Sequence, residues 1–130
     1  MNNIRAAVIG AGYLGRFHAQ KYAVAPGCTL VGVVDPRHEV REAVAAEMGT
    51  RGFADHRELL GKVDAVILDG VADICSSPND EAEALELVSI LMALAQQYHC
   101  PIFCVLHENP GSDIGKTRGH LGSELNRKAF

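Results

Sequence analysis

Residues 4–15, IRAAVIGAGYLG, decide how this chain is read. Ile4 to Ile9 is a short apolar run that predicts a buried strand, Gly10 opens a glycine-rich turn, and Tyr13 to Ala25 has a helix-compatible composition. Gly10, Gly12 and Gly15 satisfy the spacing GxGxxG between that strand and that helix. Their tasks are separable: Gly10 permits the tight turn, Gly12 leaves room for a pyrophosphate against the backbone, and Gly15 lets helix and strand pack closely. The free N–H groups and dipole at the start of the helix attract the phosphates.

Moving outward, Pro26 and Gly27 stop the helix, and a second apolar run, Cys28 to Val34, ends in Asp35, Pro36 and Arg37. Asp35 stands twenty residues after Gly15, where a carboxylate accepts hydrogen bonds from the adenosine ribose and repels a 2′-phosphate. The cofactor expected is therefore NAD, with NADP disfavoured. Arg37 complicates this, because a guanidinium there covers the adenine, accommodates a 2′-phosphate, or is simply a solvated turn residue. His18, one turn into the helix, reads as a packing or helix-surface residue.

The remaining pattern alternates. His38 to Met48 carries a one-faced apolar stripe ended by Gly49, Arg51 to Ala54 reads as a short strand, and His56 to Leu60 as one helical turn. Val63 to Leu68 is a nearly continuous apolar run, closed by Asp69 and Gly70, of the kind covered on both faces of a parallel sheet. A loop from Ala72 to Asp80 supplies the N-cap of a long helix, Glu81 to Tyr98, with acidic residues where the dipole favours them. Pro101 opens a last strand, Ile102 to Leu106, and a polar loop leads to a short helix around Ser123 to Ala129. Strands alternating with helices predict a doubly wound, three-layer α/β fold with a parallel sheet of about five strands, in one domain over residues 1–130.

Composition agrees with that reading. The 130 residues are 48% hydrophobic and 22% charged, which excludes a disordered or membrane-dominated chain. The opening residues lack the apolar region and cleavage site of a signal peptide, so a cytosolic protein is expected. Cys28, Cys75, Cys100 and Cys104 form no CxxC pair and read as buried reduced thiols, with neither a disulfide nor a metal expected. A net charge of −4 argues against a surface for polyanions, although Lys116, Arg118, Arg127 and Lys128 make the final stretch locally basic. The expected partner is a dinucleotide, neither a nucleic acid nor a membrane. No catalytic residue is assigned, and substrate and oligomeric state stay open.

Residues 1 to about 68 resemble the N-terminal domain of the Gfo/Idh/MocA oxidoreductases. The resemblance rests on IRAAVIGAGYLGRFHAQKY, on VGVVDPR, and on FADHRELLGKVDAVIL. It implies that Gly10, Gly12, Tyr13, Leu14, Asp35 and Arg37 lie along the cofactor. That family continues with a Thr-Pro-Asn-type turn, a Glu-Lys-Pro motif and a large substrate domain; here the stretch after the last strand reads Glu108, Asn109, Pro110, with asparagine in the lysine position.

From about Val63 onward the chain also resembles RecA-fold ATPases of the RepA type, through VDAVILDGVADI and through FCVLHENP followed by GKTRGHLGSELNRKA. That likeness implies a Walker B role for Asp69, acting through magnesium-bound water, and phosphate contacts for Lys116 or Arg118. The segment GSDIGKT is no P-loop, because Pro110 stands where the first glycine is required and proline lacks the N–H a phosphate nest needs. Asp69, Asp73, His107 and Glu108 are candidates for convergence at the ligand edge, or are plain strand ends. Together the two resemblances predict an engineered or recombined chimera joined near residues 63–69. Such a join leaves the strand order open: a Rossmann order places the last strand outside Val63 to Leu68, whereas a RecA-like order inserts it between that strand and the first, and the sequence does not decide between them. Three functional readings follow: a dinucleotide-binding domain without complete catalytic machinery, an oxidoreductase fragment needing a partner substrate domain, and a structural domain with no ligand.

Overall fold

Strand β1 (Ile4–Ile9) lies at the centre of a five-stranded parallel sheet in this computed structural model, which describes residues 2–77, 79–106 and 119–128. On one side it pairs with β2 (Cys28–Val34), and β3 (Arg51–Phe53) lies beyond; on the other it pairs with β4 (Ala65–Leu68), and β5 (Ile102–Cys104) lies beyond. The order β3-β2-β1-β4-β5 reverses direction at β1, and ligands of open α/β sheets bind at such a switch point. Register then decides what meets there. Ile9 is level with Val34 and with Leu68, so the residues that follow, Gly10, Asp35 and Asp69, stand in a row at the carboxyl edge.

The side chains alternate between two cores because the strands are covered on both faces. Ala6, Val8, Val33 and Ile67 pack with helices α1 (Tyr13–Val24) and α2 (His38–Met48), burying Ala19, Val44 and Ala45. On the opposite face, Ala7, Val34 and Val66 pack with Leu59, Leu60 and Cys100, and with Leu94 and Tyr98 at the end of α3 (Glu81–Gln97). Leu68, Val71, Ala84 and Val88 join that layer to Leu121 of α4 (Gly119–Lys128). The result is the three-layer, doubly wound arrangement expected. Gly49 caps α2 in the left-handed region at φ 63°, and Asp80 caps α3 by accepting from the Glu83 N–H at 2.8 Å.

Element ends differ from the sequence reading by a few residues. β4 begins at Ala65, because Asp64 turns back to bond Arg5, and β5 stops at Cys104. The turn at His56–Glu58 is a 3-10 helix, a second covers Val71–Ile74 and overlaps the start of the expected loop, and α4 starts earlier than the expected helix, at Gly119.

The strand order that the sequence left open is decided by the sheet. β5 pairs with β4 at the sheet edge instead of inserting beside β1, so the order is Rossmann-like and departs from the RecA-like alternative. Packing also runs without a break across residues 63–69, since Ala7 and Val34 share a core with Val63, Val66 and Cys100.

Candidate functional site

Gly10 has φ +93°, a conformation side chains rarely adopt, and a Cβ there would lie 2.7 Å from the Asp69 carbonyl oxygen. A Cβ on Gly15 would overlap the Gly10 carbonyl oxygen. These two glycines are therefore needed by the fold itself. Gly12 is different: its φ is −67°, and a Cβ would meet nothing closer than the Arg37 guanidinium at 3.6 Å. The fold leaves the space beside Gly12 open. No side chain among the described residues caps α1, and its first turn carries no acidic residue, which leaves a cradle for an anion at this helix start.

Asp35 is only 2% exposed, yet it is fully engaged. Its Oδ2 accepts from the Ala11 N–H at 3.0 Å and from Arg37 Nη2 at 2.9 Å; its Oδ1 accepts from the Arg37 N–H and Nε, both at 2.9 Å. Burial opposes ionisation, but the bonds from the Arg37 side chain, the Arg37 N–H and the Ala11 N–H outweigh it and hold this carboxyl below its usual range. The acceptor expected to face a ribose is thus pinned to the glycine loop and covered by a guanidinium that is itself 62% exposed. Arg41 braces the same corner by donating from Nη1 to the Asp35 carbonyl at 3.0 Å. The sequence placed Arg37 along the cofactor and missed this clamp, which the Asp-x-Arg spacing permits without specifying.

On the other side of β1, Asp69 sits between Gly15 and His18. Its side chain is nine-tenths buried, and its Oδ1 has no hydrogen-bond partner among the described residues. The His18 Nε2 is 3.9 Å from that oxygen, so His18 faces the carboxylate instead of serving only as helix surface. A cavity of about 500 Å³ runs over the sheet edge from His56, Asp35 and Arg37, past Gly10 and Gly12, to Asp69, Ile74, Val105 and Leu106. Tyr13 and Leu14 line its mouth; Tyr13 is 79% exposed and meets Phe17 edge-on with centroids 5.2 Å apart. The geometry therefore brings Gly10, Gly12, Tyr13, Leu14, Asp35 and Arg37 to one cavity, with Gly15 beneath it. His107, Glu108, Lys116 and Arg118, and the side chain of Asp73, lie outside the described residues.

Residues 4–81 match the family described as "Oxidoreductase family, NAD-binding Rossmann fold", Gfo/Idh/MocA. The chain belongs to that family. The UDP-N-acetylglucosamine 3-dehydrogenase of Acidithiobacillus ferrooxidans is 50% identical over 66 residues, which is 51% of this chain and 20% of that protein. The solved structure of that dehydrogenase, GnnA, aligns with a TM-score of 0.56 and 31% identity over 80% of this chain and 38% of its own. A myo-inositol dehydrogenase from Corynebacterium glutamicum aligns at 0.57, with 20% identity over 78% of this chain and 36% of its own, which shows a shared fold. The chain thus spans well under half the length of these relatives. The Gfo/Idh/MocA likeness in fold extends beyond the first 68 residues, and these comparisons give no support to an ATPase segment or to a junction near residues 63–69. No helix among the described residues is long and apolar enough to cross a membrane.

Proposed function

We propose that this chain is the cofactor domain of a Gfo/Idh/MocA dehydrogenase that oxidises a sugar hydroxyl, and that the substrate-binding part lies outside residues 1–130. The observation that carries the reading is the open space beside Gly12, next to an uncapped helix start, in a turn whose other two glycines the fold requires. Gly12, Tyr13 and Leu14 would hold the pyrophosphate by backbone N–H groups. Asp35 would take the adenosine ribose once Arg37 swings aside, and Arg37 would then cover the adenine. NAD, when bound, supplies the hydride acceptor; the chain's own part is to bind and orient it. The likeness to GnnA makes a nucleotide-activated amino sugar the first substrate class to try. A cytosolic setting is compatible with the four free thiols.

The test is calorimetric titration of the chain and its Gly12→Val variant with NAD, NADP and ATP. NAD should bind wild type, Gly12→Val should lose that binding, and its melting temperature should stay within a few degrees, because a Cβ meets no obstacle there. Wild type binding ATP in preference to NAD, or no nucleotide at all, overturns the reading.

A further inference from the structure

The dinucleotide-binding reading fixes a direction across the sheet, and Asp69 acquires a role from it. With the pyrophosphate over the glycine loop at the end of β1 and the adenosine over Asp35 at the end of β2, the nicotinamide must extend to the β4 side. That end of the cavity is lined by Leu68, Ile74, Val105 and Leu106, and Asp69 is the charged side chain among the described residues there. The carboxylate is nine-tenths buried; among the described residues its Oδ1 is unpartnered, and the His18 imidazole that faces it lies beyond hydrogen-bond reach. Its field is therefore poorly screened by water and acts in an apolar setting, where charge interactions are strong. The two redox forms of the cofactor differ there by one unit of charge: the oxidised nicotinamide is a pyridinium cation and the reduced ring is neutral.

We propose that Asp69 is a specificity-determining residue that makes this site prefer oxidised NAD over its reduced form. It acts through its field and needs no contact with the ring. Its repulsion of the pyrophosphate is the same for both forms, so it lowers overall affinity without altering the preference. The inference rests on the cofactor reading above.

The experiment measures dissociation constants of NAD⁺ and NADH by calorimetry for wild type and Asp69→Asn, with Asp69→Ser as a second neutral variant should Asn not be accepted in the fold. The expected result is that the ratio of the NADH constant to the NAD⁺ constant falls about tenfold in the neutral variant. A tenfold ratio equals about 30 mV in the potential of the bound couple. An unchanged ratio, or one that rises, overturns the role of Asp69 while leaving the cofactor reading intact. Absence of binding by both forms to both proteins overturns the cofactor reading and this inference with it.

Discussion

Arg37 lies against Asp35, the carboxylate that the proposed function gives to the ribose, and in that reading the contact would set how the site discriminates. A carboxylate at the end of β2 ordinarily repels a 2′-phosphate, but here the guanidinium lies against Asp35 and cancels much of its charge. Arg37→Leu should uncover the carboxylate and raise the preference for NAD over NADP at least about tenfold, since a poorly screened like charge is worth more than one kcal/mol. Paired titrations with the two cofactors check this; a preference left unchanged would mean that the clamp does not set it. The three glycines and Asp35 were legible because their backbone and charge requirements are local. The clamp was not, because nothing in a linear pattern says which way a long, exposed arginine folds. Asp69 was read as a candidate at the ligand edge or a plain strand end, and its burial beneath α1, which the packing of Gly15 against Gly10 brings about, was not legible.

The start of β1 and the turn before β4 are tied by a reciprocal set of bonds. Asp64 accepts from the Arg5 N–H at 2.8 Å and from the Arg5 guanidinium, and its own N–H donates to the Arg5 carbonyl at 2.7 Å. The guanidinium bond, then the backbone bond, hold the Asp64 carboxyl down to about 2 from its ordinary 3.8. A carboxyl lowered on folding stabilises fully above its unfolded value and loses that contribution as pH falls through the folded one. Wild type should therefore shed this stabilisation between about pH 4 and pH 2, and Asp64→Asn should melt with a shallower dependence on pH over that window. Identical slopes in thermal melts of the two proteins would show that the pair is too well solvated to matter. Element types were readable from apolar runs and caps; the late start of β4 at Ala65 was not, because Asp64 is drawn into this long-range pair.

α4 shows how the whole molecule closes. Its Leu121 is fully buried against the layer containing Leu68, Val71, Ala84 and Val88, so the last described helix is part of the sheet's cover. Leu121→Ala should lower unfolding stability by about 2–4 kcal/mol in denaturant titration, the cost of the lost contacts plus a cavity that α3 and α4 only partly fill. A loss below about 0.5 kcal/mol would show that α4 is dispensable. By itself the sequence determined the alternating α/β class, the three-layer architecture, the glycine cradle and the carboxylate at the end of β2, because each follows from local periodicity, backbone freedom and spacing. Only the tertiary structure decided that β5 lies outside β4, that one core runs across residues 63–69, that Arg37 covers Asp35 and that Asp69 is buried without a hydrogen-bond partner among the described residues. Strand order, burial and long-range pairing depend on which surfaces of the folded chain exclude water together, and no stretch of residues carries that information alone.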